Sequence, residues 1–150
     1  MNYWLMKTEP DEFSIDDLKR RKTEPWSGVR NYQARNYMRD GMRKGDGVLF
    51  YHSSCAVPGV AGIAEVATSA YPDPTQFDPK SDYFDAGSPH DAPRWVMVDV
   101  KYKRKLKRVI PLTELKQHAE LHGMILLRPG NRLSVTPVTK SEWDFVLSLE

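Results

Sequence analysis

One cysteine, Cys55, in 150 residues excludes an internal disulfide and any zinc site built from several thiolates, and it fits a reducing compartment. Apolar runs are short, and none approaches the roughly 18 residues needed to span a bilayer. The opening Met1-Asn2-Tyr3-Trp4-Leu5-Met6-Lys7 lacks the basic start and long apolar stretch of a signal peptide. These absences lead us to expect a cytoplasmic protein with no membrane contact and no disulfide partner. Signatures of phosphate cradles and activated nucleophiles are missing too. Gly59-Val60-Ala61-Gly62 has neither the strand-then-helix context nor the lysine of a P-loop, and no Gly-x-Ser-x-Gly elbow occurs. Nor is one sign of charge in strong excess. A net charge of +2 and a pI of about 8.6 lean basic but stay below the pI of about 9 typical of strong nucleic-acid domains.

What is present reads as one domain over residues 1–150, with 40% hydrophobic and 28% charged residues and no internal repeat. Tyr3-Trp4-Leu5-Met6 is a short strand, closed by Glu9-Pro10 because proline disfavours helix in the residue before it. Ser14 and Asp17 form a capping box that opens a helix to about residue 21. Lys19-Arg20-Arg21-Lys22 at its end complement the helix dipole, and a solvated helix end is preferred there over a phosphate site. Residues 23–28 read as loop, and Asn31 to Met38 or Arg39 as a helix stopped by Asp40-Gly41. Lys44-Gly45-Asp46-Gly47 turns into the strand Val48-Leu49-Phe50-Tyr51. A second strand covers 60–66, where Ala61, Gly62 and Ala64 imply close approach of a neighbouring backbone.

Residues 71–93 carry five prolines and read as a long loop, functional or mobile. Then come a strand at 95–102, a helix from Thr113 to His122, a strand over 133–138 and a last helix opened by the Thr139/Glu142 capping box. Strands and helices alternate without a βαβ period. The expected class is α+β: five or six mostly antiparallel strands curled toward a barrel, with helices at the flanks.

Two clusters invite a catalytic or metal reading. His52, Ser53, Ser54 and Cys55 follow a strand, but strand neighbours point to alternate faces, so His52 and Ser53 would not meet. His118 and His122 share a face of the expected helix, yet they lack the His-Glu-x-x-His pattern, and two imidazoles leave a metal under-coordinated. Surface histidines are preferred, and no metal or cofactor is expected. Binding fares better. Of the four tryptophans, Trp4 and Trp143 lie on regular elements and are assigned to the core. Trp26, between Pro25 and Ser27-Gly28, is either a buried anchor or a ligand platform, and both readings stay open. Beside it Arg30, Asn31 and Arg35 supply planar polar groups. An aromatic face with such neighbours suits a nucleobase, where stacking contributes about 1–3 kcal/mol and edge hydrogen bonds choose the base. The densest positive run, Lys101, Lys103, Arg104, Lys105, Lys107 and Arg108, serves equally well as a phosphate contact or as a protected sheet edge.

Several motifs, in order, resemble one family. Tyr3-Trp4-Leu5-Met6-Lys7-Thr8-Glu9-Pro10 looks like the opening of EVE-domain proteins, and Trp26-Ser27-Gly28-Val29-Arg30-Asn31-Tyr32-Gln33-Ala34-Arg35-Asn36 like their second motif. Lys44-Gly45-Asp46, Phe50-Tyr51-His52-Ser53, Gly62-Ile63-Ala64-Glu65-Val66 and Arg132-Leu133-Ser134-Val135-Thr136-Pro137 follow, with Trp143 in the last helix. The resemblance implies a PUA-like fold, a curled β-barrel with flanking helices, related in shape to YTH and ASCH domains. It also implies a reader of modified bases in DNA or RNA and transfers no catalytic residues. Carried onto this chain, the pocket would be lined by Lys7, Thr8, Glu9, Trp26, Val29, Arg30, Asn31, Tyr51, His52 and Ser53; from the residues themselves, Arg35 joins the expected lining and Lys101, Lys103, Arg104 and Lys105 are the expected contacts to the nucleic-acid backbone. Two alternatives compete: an enzyme acting on a nucleotide or modified base through His52 or Glu9, and a protein- or small-ligand-binding domain using residues 71–93.

Overall fold

The computed structural model describes residues 1–150. The strands are β1 (Tyr3–Thr8), β2 (Thr23–Pro25), β3 (Gly47–His52), β4 (Gly59–Val66), β5 (Tyr71–Pro72), β6 (Val96–Met97), β7 (Asp99–Pro111) and β8 (Val135–Val138). Six of them form one curled sheet in the order β2-β7-β4-β3-β1-β8, while β5 and β6 pair separately. Every neighbouring pair is antiparallel except β1 and β3, which run parallel with Leu5 opposite Leu49. The helices are α1 (Ile15–Arg21), α2 (Tyr32–Asn36), α3 (Leu112–Leu115) and α4 (Lys140–Ser148).

Alternation along the strands gives the sheet two buried faces. Trp4, Met6, Val48 and Phe50 join the first core with Ile15, Leu18 and Met38 from the helical side. Leu5, Leu49, Tyr51 and Ile110 join the second, which is covered by Leu115, Leu121 and Val146. Both expected capping boxes are present, Ser14 with Asp17 on α1 and Thr139 with Glu142 on α4. The helix expected from Asn31 forms as α2 and then widens into a π-helical turn, Tyr37–Gly41, that seats Met38 in the core. At Gly62 the close neighbour is mainly a side chain, because an added Cβ would sit 2.4 Å from Ile15 Cδ1.

Three local expectations are corrected. Residues 23–25 are strand rather than loop, pairing with Asp99–Lys101 of β7 at the sheet edge, the position where Pro25 is tolerated. The helix expected from Thr113 to His122 is one turn, α3, followed by a break at His118 and a 3-10 turn, Ala119–Leu121. A continuous helix would turn Ala119 and His122 toward the sheet below Leu115 and leave Leu121 outside; the break buries both leucines. The 71–93 segment contains β5 and a 3-10 turn, Pro74–Phe77, and has its own polar core. There buried Gln76 donates to the carbonyls of Asp73 and Trp95 and accepts from the Ser88 hydroxyl at 2.6 Å.

Candidate functional site

A cleft of about 540 Å³ opens beyond the carboxyl ends of the parallel strands β1 and β3, within the size range of small-molecule sites. Lys7, Thr8 and Glu9 line it from the end of β1, Ser53 and Ser54 from the end of β3, and Ser134 from the approach to β8. The Ser53 N–H donates to the Thr8 carbonyl at 2.9 Å, and the Lys7 N–H to that of Ser134 at 2.9 Å, so continued pairing fixes these three segments. The opposite wall is Glu24, Pro25 and Trp26 to Val29, tied to the sheet where the Trp26 N–H donates to the Val98 carbonyl at 2.8 Å.

Trp26 is both anchor and floor. It is 8% exposed, lies edge-on to Phe50 at 5.7 Å in the first core, and still lines the cleft. Burial lowers the pKa of Lys7 and raises that of Glu24, where it outweighs the pull of Arg21 3.2 Å away. Lys7 and Arg132 are the two cations in the lining, and neither takes part in the ion pairs that hold most other basic side chains.

Of the residues expected around the pocket, Lys7, Thr8, Glu9, Trp26, Val29 and Ser53 line this cleft, whereas Arg30, Asn31, Arg35, Tyr51 and His52 do not. Each of the five is engaged elsewhere. The Asn31 side chain caps α2, accepting from the Ala34 N–H at 3.0 Å. Arg35 lies over the Tyr32 ring at 4.8 Å and donates to the Arg94 carbonyl at 3.0 Å. Tyr51 points to the second core, where burial pushes its phenol up to about 12. His52 shares the face of Phe50, and its Nε2 accepts the Ile15 N–H at 3.1 Å, satisfying an unpaired donor at the start of α1. That bond requires an unprotonated Nε2, and burial accordingly lowers the His52 pKa. No hydrogen bond joins His52 to Ser53 or Ser54.

Arg30 is the most heavily engaged of the five. Its guanidinium donates to Asp73 at 3.1 Å, the Thr75 hydroxyl at 2.9 Å, and the carbonyls of Val29 at 3.0 Å and Tyr83 at 2.9 Å. It therefore rivets the Trp26 wall to the 71–93 segment. Burial, the largest single influence on Asp73, pushes its carboxyl up, but hydrogen bonds from Thr75, the Gly28 N–H and Arg30 together outweigh it and hold the pKa below the usual range.

The basic strand is also different from a free positive stripe. Lys101 pairs with Glu65 at 2.8 Å, Arg104 with Glu150 at 2.6 Å, Lys105 with Asp16 at 3.0 Å and Arg108 with Glu114 at 2.7 Å; Lys103 lies 3.9 Å from Glu65. His118 packs edge-on to Phe145 at 5.1 Å, and no group of three or more His, Cys, Asp or Glu side chains is placed to hold a metal ion. No helix is long and apolar enough to cross a membrane. Sequence reasoning missed Glu12, Phe13, Glu24, Tyr83, Arg132 and Ser134 in the lining. Arg132 stood inside a quoted motif, while Tyr83 carried no signal beyond its place in the long proline-rich segment.

The comparisons with known proteins agree with this architecture. The EVE domain model matches residues 2–149. Human thymocyte nuclear protein 1 is 45% identical over 167 aligned residues, covering 99% of this chain and 74% of its own. Its crystal structure in complex with 5-methylcytosine-containing DNA superimposes with a TM-score of 0.93, at 45% identity, over 99% of this chain and 97% of that one. A crystal structure of a protein from Pseudomonas syringae, 50% identical, reaches 0.95 over 98% of both chains. An ASCH protein from Zymomonas mobilis, 14% identical with a TM-score of 0.59, shares the fold alone.

Proposed function

The chain belongs to the EVE domain family, and from that premise we propose that it binds nucleic acid and reads a single modified base, 5-methylcytosine in DNA first among candidates, in the cleft beyond β1 and β3. One observation carries the reading. The cleft has a buried indole floor and a rim of mixed carboxylates, hydroxyls and cations, in a chain similar along its whole length to a protein crystallised with 5-methylcytosine-containing DNA.

The chemistry of the lining suits a cytosine. Its exocyclic amino group is a donor that carboxylates accept, and Glu9, Glu12 and Glu24 supply them; the Ser53 and Ser54 hydroxyls serve the ring acceptors. Trp26 and Val29 give the 5-methyl group an apolar neighbour, a contact that discriminates by about 1–3 kcal/mol. Lys7 and Arg132, free of ion pairs, are the cations available to the adjoining phosphates. A base reaches such a cleft only after unstacking, at a cost of a few kcal/mol that is least in single strands.

Titration of matched oligonucleotides bearing cytosine, 5-methylcytosine or an abasic site, at one fixed salt concentration, tests the reading. We expect the methylated strand to bind about 10–200-fold more tightly than plain cytosine and the abasic strand most weakly. Equal affinity for all three would overturn it.

A further inference from the structure

A flipped base needs an aromatic face, and Trp26 offers little of one: it is 8% exposed and its ring is packed against Phe50. Two other aromatic residues line the cleft, Phe13 and Tyr83. Phe13 is half-buried and leans on the first core, 6.4 Å from Phe50. Tyr83 is 41% exposed, among the few large apolar side chains that stand out from the surface.

The surroundings of Tyr83 are built rather than incidental. Its ring lies against Gly28, where an added Cβ would come within 2.8 Å of Cε2 and Cζ. Gly28 itself sits at φ +87, a conformation that favours glycine, and its N–H donates to Asp73 at 2.8 Å. The Tyr83 carbonyl accepts from Arg30 Nε at 2.9 Å, the guanidinium lies 5.6 Å from the ring centroid, and the Tyr83 N–H donates to the Ser81 hydroxyl at 3.0 Å. The ring thus lies against bare backbone with the Arg30 guanidinium over it, its main chain is fastened to a part-buried ion pair, and at 41% exposure much of the residue is open to solvent beside the cleft.

From this arrangement we infer that Tyr83 is the face on which the bound base stacks, and that Arg30 and Gly28 are positioning residues that hold that face at the rim. The inference rests on the base-reading function proposed above and assigns the stacking surface within it. Seating the ring on a guanidinium-locked loop removes most of the ordering that a mobile aromatic would undergo on binding, which is how a partly exposed side chain becomes an effective platform. Arg30 touches no base in this scheme. It acts through the loop, so its fork geometry matters more than its charge.

The test is binding of the same cytosine, 5-methylcytosine and abasic oligonucleotides by Tyr83→Ala, Tyr83→Phe and Arg30→Lys. Tyr83→Ala should fall by about 5–150-fold on both base-bearing strands, with little change on the abasic strand. Tyr83→Phe keeps the ring and should restore binding to near the parent. Arg30→Lys keeps the charge but not the fork and should fall in the same strand-selective way, by less. Because Tyr83 is exposed, its variants stay folded, which a thermal melt checks. If Tyr83→Ala binds the methylated strand as tightly as the parent does, or loses affinity for the abasic strand equally, Tyr83 is not the platform. A parent that itself fails to distinguish the three strands points instead to failure of the base-reading function and removes the basis of this assignment.

Discussion

The cleft and the basic strand β7 both stand out in the sequence as places for nucleic acid, but the fold treats them in opposite ways. In β7 the charge is dense, yet nearly every cation is held by a carboxylate from α1, β4, α3 or the C-terminal residue. In the cleft positive charge is sparse and set among Glu9, Glu12 and Glu24, but Lys7 and Arg132 are left without ion-pair partners. A phosphate approaching β7 must displace existing ion pairs; one approaching Lys7 or Arg132 has no ion pair to displace. Density of charge along a chain is therefore a poor guide to the field a ligand meets, because the opposing carboxylates come from distant segments.

The comparison can be sharpened first at the cleft floor. Trp26→Ala should destabilise the domain by about 3–5 kcal/mol, the cost of truncating a buried aromatic, seen as an early thermal melt; a melt unchanged from the parent would detach the floor from the core. Trp26→Phe should melt closer to the parent and is the variant in which binding can be measured.

The next effect is one of pH. Burial holds the folded pKa of His52 below the unfolded value of about 6.5, and the bond its Nε2 accepts from the Ile15 N–H needs the unprotonated ring. Stability from this group is complete above that value and is lost as pH falls through the folded pKa, because the unfolded chain takes up the proton more readily. Denaturant midpoints recorded downward from pH 7 should show this decline in the parent and not in His52→Gln. Parallel curves would show that the imidazole does not titrate with unfolding.

The smallest effect belongs to β7. A free phosphate contact changes the log–log salt slope of binding by about 0.9 for duplex and 0.7 for single strands. Neutralising Lys103 and Lys105 to glutamine should change it by well under one such contact, since each faces a carboxylate. A loss of a full contact for each lysine would restore the strand as a backbone site and break the contrast.

Much of the fold was legible because its signals are local. The capping boxes at Ser14/Asp17 and Thr139/Glu142, the alternation in β1 and β3, and the glycine-rich turn before β3 all act within a few residues. The site was legible only in part, because its contacts are not local. Arg30 and Asn31 stand beside Trp26 in sequence, yet one is bound to Asp73, 43 residues away, and the other is consumed by a helix cap. Tyr51 stands two residues before Ser53, but within β3 it falls on the Leu49 face, opposite the Phe50 face against which Trp26 packs. Whether Trp26 was anchor or floor depended on Phe50, which no spacing rule links to it.

The place of β1 inside the sheet has a consequence for how the molecule comes into being. β1 lies between β3 and β8, so the first strand made is completed by the last, Tyr3 opposite Val138. Between β1 and β3 the chain also travels to the far edge of the sheet to lay down β2. Such long-range closures are slow relative to local hairpins. On the ribosome, one edge of β1 must stay unpaired until residues 135–138 have emerged, an exposed template for pairing with other chains. A chain cut before Val135 should therefore aggregate rather than fold, although it would retain every side chain of the cleft wall from Glu24 to Val29.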